Sequence, residues 1–171
     1  MHTPEQLQSI GLFLASGVEN EFKTTQKVLA AVPQDKLNFK LGDKGRTAQE
    51  LMWHIVESEL WFLDGIAKGE FAASDSRGPA PSTVQAIVDQ YTGAFPAGLA
   101  KVKALSAAQM AKPINFYNIF NMPAGMYLSF LSSHSIHHRG QLSAYIRAMN
   151  AKVPSIYGGS ADEPFQMPAG A

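Results

Sequence analysis

The chain contains no cysteine. Disulfides, thiolate metal sites and a cysteine nucleophile are therefore excluded together, and any thiol chemistry needs a thiol carried in by a cosubstrate. Net charge is also missing: fourteen Lys and Arg balance fourteen Asp and Glu. Without a field of one sign there is nothing to draw in a phosphate backbone or an anionic bilayer, so neither nucleic acid nor membrane is an expected partner. No apolar run reaches the twenty or so residues that span a bilayer. The N-terminal Met1-His2-Thr3-Pro4-Glu5-Gln6 lacks the basic segment and apolar core of a secretory signal, and the expected location is cytoplasmic. The glycine clusters near residues 42 and 158 lack the P-loop ending and the dinucleotide fingerprint, so no phosphate site is assigned.

What is present is apolar bulk in helical rhythm. With 171 residues, 46% of them hydrophobic, the chain can bury one sizeable core, and a single domain over 1–171 is expected, with about 160–171 as a mobile tail. Thr3-Pro4-Glu5-Gln6 offers an N-cap, a proline at the first helical position and a capping-box partner. The stripe Leu7, Ile10, Leu14, Val18, Phe22 and Val28 carries that helix to about Ala31, and Pro33 ends it. Thr47-Ala48-Gln49-Glu50 is a second capping box, opening a helix that is apolar on most sides through Ile66. Ser82-Thr83-Val84-Gln85 repeats the pattern before a third helix, in which Pro96 predicts a kink. Ser106-Ala107-Ala108-Gln109 caps a short extra turn. The run Ile114–Phe120 is strand-like in composition, but one strand makes no sheet. The last helix is expected from Asn121-Met122-Pro123 to about Asn150, followed by an irregular Pro- and Gly-rich tail. The fold class is all-α: an antiparallel four-helix bundle.

Three of the five histidines fall in Ser132-Ser133-His134-Ser135-Ile136-His137-His138-Arg139. Residues four apart on a helix point within about 40° of each other, so His134 and His138 share a face. His54, in the apolar run Leu51-Met52-Trp53-His54-Ile55-Val56, is the candidate third ligand. Three imidazoles leave a metal's shell open to solvent or substrate. The bland reading is that each histidine is a hydrogen-bonded packing residue. His137, about 100° from His138, is assigned to the surface or to a supporting position. Glu57, three residues after His54, is a candidate catalytic base or a solvated helix glutamate. Arg139, Arg147, Gln141 and Tyr145 are candidates for substrate contact, the arginines through paired hydrogen bonds to an anionic group. Trp53, Trp61 and Phe62 would supply aromatic pocket walls, or ordinary core.

His134-Ser135-Ile136-His137-His138-Arg139-Gly140-Gln141-Leu142, then Tyr145-Ile146-Arg147 and Val153-Pro154-Ser155-Ile156-Tyr157-Gly158, resembles the DinB family of damage-inducible proteins. Arg46-Thr47-Ala48-Gln49-Glu50-Leu51-Met52-Trp53-His54 resembles that family's second-helix ligand segment. The resemblance implies a four-helix bundle related to thiol-dependent S-transferases, with His54, His134 and His138 on zinc or nickel. It also implies a homodimer. The expected activity is a reaction between a low-molecular-weight thiol and a small electrophile, with a metal-dependent hydrolase as the alternative enzyme. The competing expectation is a stress-related protein that binds a metal or small molecule without turnover.

Overall fold

A computed structural model describes residues 2–72 and 78–165. Four long helices carry the fold: α1 (Pro4–Ala30), α2 (Ala48–Lys68), α3 (Val84–Lys103) and, after a short α4 (Ala107–Ala111), α5 (Tyr127–Ala148). Two strands, β1 (Pro113–Phe116) and β2 (Phe120–Pro123), lie between α4 and α5.

Local chemistry explains the helix starts. Thr3 with Gln6, Thr47 with Glu50 and Ser106 with Gln109 each form the reciprocal capping box, a cap being worth about 1 kcal/mol. The third long helix differs from expectation. Its N-cap is Thr83, whose hydroxyl accepts from the Ala86 amide at 3.1 Å, while Gln85 reaches forward to Asp89. The box at Ser82 does not form, and α3 runs through Pro96 without ending.

The strand-like run spans the first strand and the turn of a hairpin, with Pro113 opposite Pro123 and Phe116 opposite Phe120. Its turn uses left-handed backbone at Tyr117 and Asn118 (φ 51° and 59°). Asn115 steadies that turn by accepting the Asn118 amide at 2.8 Å. Consequently α5 begins only at Tyr127, after a 3₁₀ turn at Ala124–Met126, later than the sequence pattern suggested.

The bundle places α1 diagonally across from α2 and α3 across from α5. Gln34 bonds to Ser82 and Val84, so α1 ends where α3 starts; Gln49 bonds to Pro81, so α2 starts there too. Neighbours α1/α3 and α2/α5 are antiparallel, while α2/α3 and α1/α5 are parallel, giving an up-down-down-up order. The connection 69–83 is what returns the chain to the end where α2 began; its residues 73–77 lie outside the described set. Near the start of α5 the backbones of α1 and the 3₁₀ turn touch: a Cβ on Gly11 would sit 3.4 Å from the Gly125 Cα.

The core is a continuous apolar cluster including Val18 and Leu29 of α1, Leu51, Ile55 and Leu63 of α2, Ile87 and Phe95 of α3, and Leu128, Leu131 and Ile146 of α5. Residues 160–163, inside the stretch read as a mobile tail, are tied to the bundle: Asp162 pairs with Arg147 and Glu163 with Lys27, each at 2.6 Å. Residues 166–171 lie outside the described set. No helix among the described residues is long and apolar enough to cross a membrane.

Candidate metal centre

Antiparallel packing of α2 on α5 brings the histidines to one point. His54 Nε2 lies 3.2 Å from His138 Nε2 and 3.2 Å from His134 Nε2. The three rings meet edge to face, with centroids 4.4–4.9 Å apart. These three form the one group among the described residues that could hold a metal ion.

Electrostatics keep the rings neutral. His54 is pushed down to about 4, chiefly by burial, then by the Arg46 charge and the other two histidines. His134 is likewise pushed down to about 4, by burial first and then by His138, His137 and Arg46. His138 is lowered mainly by burial, with its bond to Gln141 opposing.

A hydrogen bond then assigns the tautomer of His138. His138 Nδ1–H donates to Gln141 Oε1 at 2.9 Å, and His54 Nδ1 faces the Ser58 hydroxyl at 3.4 Å. The first leaves the His138 Nε2 lone pair aimed at the common point, and Ser58, which can accept as well as donate, suits the His54 tautomer that does the same. His134 Nδ1 is buried without a hydrogen-bond partner among the described residues. With all three Nε2 atoms unprotonated, their lone pairs repel unless a cation sits among them. Nitrogens 2.0–2.1 Å from one ion at tetrahedral angles would be roughly 3.3 Å apart, close to the 3.2 Å seen here. The donor set therefore fits a divalent ion that favours imidazole.

Beside the histidines opens a cavity of about 240 Å³ lined by His54, Glu57, Ser58, Trp61, Phe62, Phe116 and His134. Trp61 donates its Nε1–H to the Ala72 carbonyl at 2.9 Å, which fixes the indole. Phe116 comes from the hairpin and stacks on Phe62 at 6.4 Å. The cavity is thus apolar on three walls, with Glu57 also on its lining and the Ser58 hydroxyl beside His54.

The sequence match extends over this whole arrangement, since the DinB family pattern fits residues 7–166. The chain belongs to the DinB family. It is 31% identical over 157 residues to the uncharacterized protein YrdA of Bacillus subtilis, covering 91% of this chain and 92% of that one. The fold is similar to that of a DinB-like protein from Bacillus cereus (TM-score 0.72, 24% identity, 84% of this chain and 95% of that one). It is also similar to the DinB-like protein YjoA from B. subtilis (TM-score 0.69, 21% identity, 84% and 96%).

In this DinB chain the expected residues divide into two sets. His54, His134, His138, Glu57, Trp61 and Gln141 are at the centre or its cavity. The others are not. Trp53 is buried and donates to the Gly78 carbonyl. Tyr145 is core, its hydroxyl held by the Arg46 carbonyl at 3.0 Å. Arg147 is occupied by Asp162. Arg139 is 1% exposed and pairs with Glu21, so it offers no free guanidinium to a ligand; burial on the inner face of α5 is the reason. His137 is exposed, its ring beside that of His138.

Sequence reading missed Ser58 and Phe116. Ser58 was findable, standing four residues after His54 on the same helix face. Phe116 was not, because only the hairpin brings it there.

Proposed function

We propose that this DinB family member is a metal-dependent enzyme that joins a small thiol to small electrophilic molecules. The observation that carries the reading is the convergence of three neutral imidazole nitrogens on one point beside an apolar cavity. His54, His134 and His138 would hold zinc or nickel, which when bound lowers the pKa of a thiol or water beside it. Because the chain has no cysteine of its own, the sulfur nucleophile belongs to the cosubstrate. Gln141 and Ser58 orient their imidazoles. Trp61, Phe62 and Phe116 exclude water and receive the apolar part of the electrophile. Glu57, which lines the cavity, would take a proton from the incoming group.

The test is to purify the chain without an affinity tag, measure its metal content, and compare thiol-conjugation rates of wild type and His138→Ala. One metal per chain and loss of conjugation in the variant are expected; equal rates in the two would end the proposal. A metal-loaded protein that retains a small apolar molecule but conjugates none of the common small thiols would instead favour binding without turnover.

A further inference from the structure

α5 carries two of the histidines, yet the apolar residues that would fix its rotation are missing where they are needed. Its buried side chains run Tyr127, Leu128, Leu131, Ser135, Arg139, Leu142, Tyr145 and Ile146. Between Leu131 and Leu142 the interior positions are therefore filled by a serine and an arginine, 2% and 1% exposed. Each follows a histidine by one residue, so the pair forms a second stripe about 100° around the helix from His134 and His138.

That stripe is tied to α1 and α2 directly and to α3 through Glu59. Ser135 Oγ donates to Glu59 Oε1 of α2 at 2.5 Å, and Tyr91 of α3 donates to Glu59 Oε2 at 2.6 Å. Arg139 donates to Thr25 of α1 at 3.1 Å and pairs with Glu21; Tyr157, which bonds to both, covers it from the C-terminal segment. Apolar contact is non-directional and tolerates a helix turning in its groove, whereas hydrogen bonds weaken steeply off axis. The tolerance at the histidines is small. Turning α5 by 20° moves a side-chain tip at a radius of about 5.5 Å by about 2 Å, the length of a zinc–nitrogen bond. Buried ionic groups add little stability compared with apolar residues of similar shape, and their best-attested use is to select one arrangement over others.

We propose that the Glu59–Ser135 bond sets the rotation of α5 at which His134 and His138 meet His54, making Glu59 and Ser135 positioning residues of the metal centre. The proposal rests on the metal reading above. It separates two quantities that a merely structural role would move together, metal affinity and fold stability.

The experiment measures zinc affinity by competition with a chromophoric chelator, and thermal unfolding of the metal-free form, for wild type, Ser135→Ala, Glu59→Met and Glu59→Gln, all without tags. Ser135→Ala and Glu59→Met are expected to weaken zinc by about tenfold or more, within the range seen when a supporting partner of a ligand is lost, while the metal-free Tm falls by no more than a few degrees, the cost of unmet buried hydrogen bonding. Glu59→Gln, still able to bond with Ser135 and Tyr91, is expected to stay within about threefold of wild type. If Glu59→Met does not fold, Ser135→Ala decides. Affinity within threefold of wild type in Ser135→Ala overturns the proposal. So does a loss of affinity that tracks a loss of Tm beyond those few degrees, or a Gln variant as weak as the Met one. A wild type that takes up no zinc removes the metal reading and this inference with it; a wild type that binds beside indifferent variants removes this inference alone.

Discussion

Replacing Glu59 with glutamine should make the protein's stability less dependent on pH, and the size of the effect can be worked out. Glu59 is 2% exposed and pushed up to about 7, chiefly by burial, with the Ser135 and Tyr91 hydroxyls and the Arg139 charge opposing. In the unfolded chain the same carboxyl titrates near its ordinary value. Between those two pH values the folded state holds a proton that the unfolded state has released, so raising the pH favours unfolding. Integrating from pH 5 to pH 8 gives about 2.5 kcal/mol lost by wild type through this group, roughly 5–10 °C in Tm for a chain of this size. Glutamine cannot ionise and escapes that loss.

The assay is urea unfolding of wild type and Glu59→Gln at pH 5 and pH 8, with chelator present. Acid also weakens both proteins through the histidines. Their folded pKa values lie below the unfolded value, so that contribution is intact above about 6.5 and fades as pH falls toward 4. It cancels in the difference between the two proteins. The glutamine variant should gain on wild type by about 2.5 kcal/mol between the two pH values. A difference that does not change with pH would mean that the carboxyl is ionised throughout, and the reasoning about its burial would be wrong.

Metal should stabilise the folded chain: with free zinc at 100 times its Kd, linkage adds about 2.7 kcal/mol, a rise of roughly 5–10 °C in Tm that chelator reverses and His54→Ala abolishes. Arg139→Met should cost about 3 kcal/mol by denaturant titration, because it strips a buried ion pair of one partner, and Arg139→Lys should not restore it; a change in KM with stability intact would return Arg139 to the substrate site. Gly65→Ala should cost about 1–3 kcal/mol, since its Cβ would meet the Phe71 ring at 2.4 Å. Because Phe71 packs against Trp61 with centroids 4.7 Å apart, the tryptophan emission of that variant should shift as well.

Helix starts and the histidine pair were legible for the same reason: both depend on residues three or four apart in one helix. Thr47 with Glu50 and His134 with His138 carry their geometry in their spacing. His54 could be paired with them only as a candidate, since no local rule joins residues eighty positions apart. The hairpin was illegible because its turn uses Tyr117 and Asn118 in left-handed backbone where a glycine would have announced it. The buried network was hidden by the usual behaviour of its members. Glutamate and arginine on a helix normally face water, and only the packing of all four helices turns Glu59 and Arg139 inward. That inversion is also why Arg139 looked like a ligand for an anion when it is a tie between helices.

Phe116, one of the three aromatic walls around the centre, is mounted on a hairpin and not on a bundle helix. The hairpin is fastened by few bonds, among them the Tyr127 hydroxyl to the Ile114 carbonyl and the Tyr117 hydroxyl to the Ala72 carbonyl. The nitrogen donors are anchored separately, in the rigid pairing of α2 with α5. On the proposed function, shape selectivity and ion retention therefore reside in different parts of the chain. A lineage could exchange the 113–123 loop and alter which molecules enter, while leaving the inorganic chemistry untouched.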